Sequence, residues 1–168
     1  DKWENLQTLP YWNEKAYEKA NPDMFSLQKN WAKEHIKEEH RIKDSIVTTM
    51  SANKYNEKQS RAMSAHIDSG DYPEGLSTMA VFKDGDYSGA YLTFPQYGIA
   101  VDIPDNTCAL FDSQVMHGVT PIRGEGTRYS ITAYTDTRLA TIGAAGKSER
   151  PIGHHNKDKR GSLEEFIT

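Results

Sequence analysis

AMSAHIDSGDYPEGLSTMAVFKDGDYSGAYLTFPQYGIAVDIPDNTCALFDSQVMHGVTPIRGEGTRYSITAYT, residues 62–135, decides the fold. Seven short runs stand out in it: AMSAHID, LSTMAVF, GAYLTF, GIAVDI, TCALFD, VMHGV and RYSITAYT. Each is rich in β-branched, aromatic or small apolar residues, and the separators SGDYPEG, KDGDYSG, PQY, PDN, SQ and PIRGEG are built from turn formers. Parallel strands need a long crossover, usually a helix. Connections this short leave no room for one, so the runs are expected to pair antiparallel in an all-β sandwich or barrel.

Outward from this core, Pro22 and Asp23 open a stretch in which Leu27, Trp31, Ile36, Ile42, Ile46, Val47 and Met50 recur at roughly helical spacing. A main supporting helix is expected there. Residues 1–22 carry Trp3, Leu6, Leu9, Tyr11, Trp12 and Tyr17 but also Pro10, which is expected to interrupt any helix and leave a segment wrapping the core. Past Leu139 the composition turns to Gly, Ala, Ser, Lys and His, as in a tail, with SLEEFIT at its end suited to a short docking helix. One domain is expected over residues 1–168, with 1–52 mostly helical support, 60–139 the β core and 140–168 the tail.

Apolar residues make up 36% of the 168 and charged ones 26%, so the core has to come from well-patterned short segments. No run approaches the roughly 20 apolar residues of a membrane helix. The start, DKWENLQTLPYWNEK, has neither the basic beginning nor the apolar run of a signal peptide, and without an initiator Met it reads as a processed product or a cut domain. The lone Cys108 cannot form an internal disulfide, which fits an intracellular setting: nucleus, cytoplasm, or a host cell for a virus-encoded protein. The net charge of −4 lacks the basic balance of a protein held on nucleic acid by phosphate contacts, so any such contact has to be local. The basic stretch Lys29–Lys43 interleaves acids with bases, as a solvated helix face does, and Lys147–Arg160 falls in the tail.

His66 and Asp68 stand two apart in a predicted strand, so both side chains point to one face and can chelate one ion. His117 stands in another short strand 51 residues after His66 (117 − 66). Two imidazoles and one carboxylate leave three open positions on a metal, the arrangement of non-haem Fe(II) oxygenases that take a cosubstrate and O2 there. An HxD pair alone is common by chance; the added strand histidine sharpens it. His35 and His40 on the charged helix and His154 and His155 in the tail have no comparable setting. Arg128 and Ser130 share one face of the run after His117, where a guanidinium fork and a hydroxyl can grip a carboxylate. A dicarboxylate cosubstrate is the expectation.

These residues resemble the iron(II) and 2-oxoglutarate-dependent oxygenases, and within them the Tet/JBP subgroup, which oxidises the methyl of a 5-methylpyrimidine in DNA. HxDxxD (His66, Asp68, Asp71), GAYLTFPQYGIAVD, HGVTP and RYS carry the likeness, over about residues 45 to 139. The resemblance implies a double-stranded β-helix of jelly-roll type, Fe(II) on His66, Asp68 and His117, and 2-oxoglutarate with its distal carboxylate on Arg128 and Ser130, with O2 as the second cosubstrate. It further implies Arg61 near the cosubstrate's other carboxylate, Asp71 on the Watson–Crick edge of a flipped base and Tyr134 stacked on that base. An exposed Arg at a strand entry, a Ser-Gly-Asp turn and a core aromatic are the respective alternatives. The implied partner is DNA with a flipped modified base. An Asp at position 71 accepts the N4 amino group of cytosine, which tilts the expectation to 5-methylcytosine over thymine.

The Cys-rich segment of the animal relatives is missing. Two further readings stand beside the first. One is a 2-oxoglutarate oxygenase acting on a free nucleotide, a small metabolite or a protein side chain; the other is a non-catalytic β-sandwich binding module.

Overall fold

A computed structural model of the protein describes residues 2–42, 45–58 and 63–143. The chain opens with helices α1 (Lys2–Ala20) and α2 (Pro22–His35) and then turns to strands: β1 (Thr49–Asn56), β2 (Met63–His66), β3 (Ser77–Asp84), β4 (Ser88–Gly89) and β5 (Leu92–Phe94). There follow β6 (Ile99–Val101), β7 (Thr107–Phe111), β8 (His117–Val119), β9 (Ile122–Arg123) and β10 (Thr127–Tyr134), and a short α3 (Arg138–Gly143) ends the described chain. A major sheet runs β1-β10-β3-β7, a minor sheet β2-β8-β5-β6, and β4 pairs with β9; every pairing is antiparallel, as the short connections require.

The two four-stranded sheets face one another. Met79 and Val81 of β3, Phe111 of β7, Leu92 of β5 and Ile103 meet in one buried cluster, so side chains from both inner faces interdigitate. Each such side chain contributes about 1.5–3 kcal/mol by leaving water. Alternate residues of the major sheet point the other way, to the helices. There Tyr17, Phe25, Ala32 and Ile46 form a second cluster with Leu110 of β7 packed on it.

The helical part departs from expectation in three places. The chain stays helical through Pro10, which lies among the fully buried side chains. A proline inside a helix costs about 3 kcal/mol. Anchors in the next two turns hold α1 in place, with Pro10, Asn13, Glu14 and Tyr17 making the buried stripe at helical spacing. Asn13 donates to Thr78 Oγ1 at 3.1 Å, and the Glu14 carboxylate accepts from Ser45 Oγ and from the Ile46 backbone N–H at 2.7 Å. Secondly, α2 stops at His35, because Ile36 turns extended (φ −114°, ψ 123°) and is buried, so the basic stretch after it is not one helix face. Thirdly, Thr49–Asn56 is a strand, β1, paired with the whole of β10 from Thr49↔Tyr134 to Asn56↔Thr127.

A chain of polar groups ties the helices to the end of β10. The Tyr17 hydroxyl donates to Gln28 Oε1 (3.0 Å), Gln28 Nε2 donates to Thr135 Oγ1 (2.9 Å), and Thr135 Oγ1 donates to the Ile46 carbonyl (3.0 Å). Buried polar groups that are all paired fix one geometry. The strand that carries Arg128, Ser130 and Tyr134 is thereby held from behind.

Candidate active site

His66 ends β2 and His117 begins β8, and the two are direct partners across that antiparallel pair. Their rings lie 4.6 Å apart between centroids. Gly118 lets the strands come this close: a Cβ there would stand 2.7 Å from the Met63 carbonyl oxygen. Asp68 follows two residues after His66, its backbone N–H donating to the Ser113 carbonyl (3.0 Å) and its carbonyl accepting from Gln114 Nε2 (3.0 Å). The loop ahead of β8 thus pins the carboxylate beside both imidazoles.

His66 Nδ1 lies 2.8 Å from the Ser64 carbonyl and His117 Nδ1 2.9 Å from the Val115 carbonyl. A carbonyl only accepts, so each Nδ1 carries a hydrogen, and each Nε2 faces the common centre. The two Nε2 atoms stand 3.4 Å from the two different oxygens of Asp68. All three ligand atoms lie within 4.8 Å of one another, which lets the set hold a metal ion. Burial would raise the Asp68 carboxyl, but hydrogen bonds from His117 and His66 outweigh it and hold the group well below the usual carboxylate range. Asp68 in turn raises His66 above an ordinary imidazole, against the pull of burial. The donor set fits a divalent cation: a metal would take the place of the protons these groups now share.

A cleft of about 350 Å³ opens from this centre between the sheets. Arg128, Ser130, Thr132 and Tyr134 of β10 line it, with Ser51, Asn53 and Tyr55 of β1 beside them. Arg128 is only 2% exposed, yet its Nη1 has no hydrogen-bond partner; Nη2 reaches only the Met79 sulfur at 3.7 Å, and the Tyr55 ring lies 5.8 Å from Cζ. Burial lowers its pKa, opposed by Tyr87 and Tyr55. A buried guanidinium with open donors suits a carboxylate, and the observation fits a dicarboxylate cosubstrate reaching from the metal centre.

Asp71 also lines the cleft but is 5% exposed, and its Oδ2 accepts from Ser77 Oγ at 2.5 Å. Burial, with Asp68 and Asp136 nearby, pushes its carboxyl up to about 6 despite hydrogen bonds from Ser77 and Ser113. Tyr134 is half-buried on the cleft wall, and burial raises its hydroxyl. Arg61 lies outside the described residues, as do His154 and His155.

The β1 face and Arg138 also line the cleft, beyond the residues expected from the sequence. Ser51, Asn53 and Tyr55 alternate at period two within SANKYN, the signal that helical spacing up to Met50 obscured. Arg138 grips Asp136 with Nε and Nη2 (2.8 and 2.5 Å) at the cleft's rim, packed over Gly70.

The model of the Tet_JBP family, described as the oxygenase domain of the 2OGFeDO superfamily, matches residues 2–137. The chain belongs to this family. The Tet_JBP match takes in both helices, where the motifs in the sequence carried the resemblance only from about residue 45. The family makes the chain a 2-oxoglutarate- and iron-dependent dioxygenase by class. Among curated proteins it is 26% identical over 123 residues to the thymine dioxygenase JBP1 of Trypanosoma brucei brucei, with the same figures for the protein of strain 927/4 GUTat10.1. The aligned region is 73% of this chain but 14% of those relatives' length. Among solved structures, NgTET1 in complex with 5mC DNA superposes with a TM-score of 0.56 at 14% identity, covering 67% of this chain and 42% of that one. That likeness bears out the double-stranded β-helix fold. No helix among the described residues is long and apolar enough to cross a membrane.

Proposed function

We propose that this Tet_JBP domain oxidises the methyl group of a 5-methylpyrimidine in DNA, taking 5-methylcytosine in preference to thymine. One observation carries the reading: a His-Asp-His set on the minor sheet and a buried guanidinium with open donors on the major sheet face a single cleft. Support for DNA as the substrate comes from the relatives, one named a thymine dioxygenase and one solved with 5mC DNA.

In this reading His66, Asp68 and His117 hold Fe(II), which when bound supplies O2 activation coupled to decarboxylation of 2-oxoglutarate. Arg128 and Ser130 fix the distal carboxylate of 2-oxoglutarate, and Arg61 approaches its other carboxylate. The cleft is of small-ligand size. A base of duplex DNA reaches it only by leaving the stack. Tyr134 gives that base a stacking face, worth about 1–3 kcal/mol. Asp71, ionised, accepts from the N4 amino group of cytosine, while thymine offers its carboxylate only N3–H. Ser77 and Ser113 hold that carboxylate in place.

The test is mass spectrometry of DNA containing 5-methylcytosine, and of DNA with thymine as its sole 5-methylpyrimidine, after incubation with the protein, Fe(II), 2-oxoglutarate and ascorbate. Oxidised 5-methylcytosine in excess over oxidised thymine is expected, with base oxidation lost in Asp71→Ala and Tyr134→Ala while succinate release without DNA persists. No oxidised base from the wild type at any salt concentration overturns the DNA reading. The net charge of −4 favours a free nucleotide as the next substrate to try.

A further inference from the structure

Among the described residues four buried side-chain polar atoms lack a hydrogen-bond partner: Arg41 Nε, Tyr87 OH, Thr93 Oγ1 and Arg128 Nη1. Buried polar groups are nearly always paired, and each exception calls for a reason. Two of these four belong to one neighbourhood. Tyr55, Arg128 and Lys83 stand in one cross-strand row over β1, β10 and β3, and the Lys83 ammonium lies 5.3 Å from the centroid of the Tyr87 ring. That ring packs on the buried cluster of Ala90, Val119 and Ile122, and Val119 is itself a wall of the cleft. Tyr87 and Arg128 act on one another electrostatically.

We propose that the Tyr87 hydroxyl is a further donor to the distal carboxylate of 2-oxoglutarate, completing with Arg128 and Ser130 the end of the cleft that measures the cosubstrate's length. The proposal rests on 2-oxoglutarate being the cosubstrate. A carboxylate has about four lone-pair positions and is left under-satisfied by one guanidinium nitrogen and one hydroxyl. Lys83, the other cation of the row, is engaged by Asp102 at 3.1 Å, and the Tyr55 hydroxyl donates to the Met63 sulfur at 3.9 Å. Beside Arg128 Nη1, the Tyr87 hydroxyl is the buried donor of this neighbourhood that has no partner among the described residues. Burial raises its pKa, which keeps the proton on the oxygen where a donor needs it. A carboxylate arriving there satisfies both orphan groups at once, whereas a methyl group in the same place leaves both buried and unpaired.

The experiment is calorimetric titration of the Mn(II)-loaded protein with 2-oxoglutarate and with 2-oxopentanoate, which carries a methyl in place of the distal carboxylate. Wild type and Tyr87→Phe are compared, with the melting temperature of each followed with and without ligand. Tyr87→Phe keeps the ring and its packing. It is expected to weaken 2-oxoglutarate about 10- to 100-fold, the worth of one hydrogen bond to a charged group. Binding of 2-oxopentanoate and the melting temperature without ligand stay where they were. Equal weakening of both ligands assigns Tyr87 a packing role and overturns the proposal. So does a 2-oxoglutarate affinity left unchanged in Tyr87→Phe while the wild type still discriminates the two ligands, and in that case the cosubstrate reading survives. A wild type that binds both ligands equally well overturns the cosubstrate reading itself, and the role of Tyr87 with it.

Discussion

Replacing Arg128 by Met is expected to make the ligand-free protein more stable and to remove its response to 2-oxoglutarate. The guanidinium is 2% exposed, with one nitrogen unpartnered, one on a sulfur at 3.7 Å and an aromatic ring 5.8 Å away. Exchanging poorly paired buried charge for a hydrophobe of similar volume is worth about 1–4 kcal/mol. Met is unbranched and fills an irregular gap, here beside Met79 and Tyr55. Losing the cation–π contact takes back about 0.5–2 kcal/mol. A net gain of about 1–2 kcal/mol remains, and at about 2–4 °C per kcal/mol for a domain of this size the melting temperature rises by roughly 2–8 °C. Differential scanning fluorimetry with Mn(II) present, with and without 2-oxoglutarate, reads both effects. Wild type gains stability on adding the ligand, and Arg128→Met does not. A melting temperature lowered by several degrees in the variant would show a guanidinium paired in the resting protein, and the argument from an open buried charge would fail.

His117→Ala removes one of three ligands and is expected to abolish stoichiometric binding of Fe(II) or Mn(II), seen as loss of about one bound ion per chain in titration calorimetry; retained affinity would move the metal elsewhere. Gly118→Ala drives a methyl against the Met63 carbonyl and should cost about 1–3 kcal/mol while weakening metal binding, because β2 and β8 can no longer hold His66 and His117 side by side. Asp71→Asn tests a pH dependence in the metal-free protein. With its carboxyl pushed up to about 6 when folded against 3.8 for an ordinary aspartate, the folded chain holds that proton more firmly than the unfolded one. Wild-type stability from this group is therefore fully present below pH 4 and lost as pH rises to 6, by at most about 3 kcal/mol. Chemical denaturation should show Asp71→Asn gaining on wild type over that window, and a difference independent of pH would refute the shift.

Most of the β core was legible because its longer strands announced themselves twice, by their residues and by their punctuation, whereas the two-residue strands β4 and β9 lie in KDGDYSG and PIRGEG, which read as turns. LSTMAVF became β3 and RYSITAYT became β10 almost to the residue, and the period-two spacing that paired His66 with Asp68, and Arg128 with Ser130, is a property of any strand. What escaped was decided by distant partners. β1 is polar and its outer positions are exposed, so it exists by pairing with β10 rather than by its own hydrophobicity. Pro10 argues locally against a helix, and the argument is outweighed by Asn13, Glu14 and Tyr17 reaching groups tens of residues away. The direct pairing of His66 with His117 needs the fold, because no spacing in the sequence says which strands of a jelly roll are neighbours. The open valence of Arg128 is likewise invisible in a sequence, being a statement about every atom around it.

The side chains that could hold a metal and those proposed to hold the carboxylate sit on opposite leaves of the sandwich, β2 and β8 on one and β10 on the other. The gauge between the two leaves is set by the bulk of what lies between them: Met79, Val81, Leu92, Ile103 and Phe111. These residues need touch no reactant to take part in recognition. Thinning that filling by a methylene or two lets the leaves settle together, thickening it forces them apart, and in either case the span offered to a ligand anchored at both ends changes. With a ligand anchored on both leaves as proposed, the hydrophobic interior would act as a spacer as well as a source of stability, and the cosubstrate's fit could be tuned at Val81 and Ile103, which do not line the cleft.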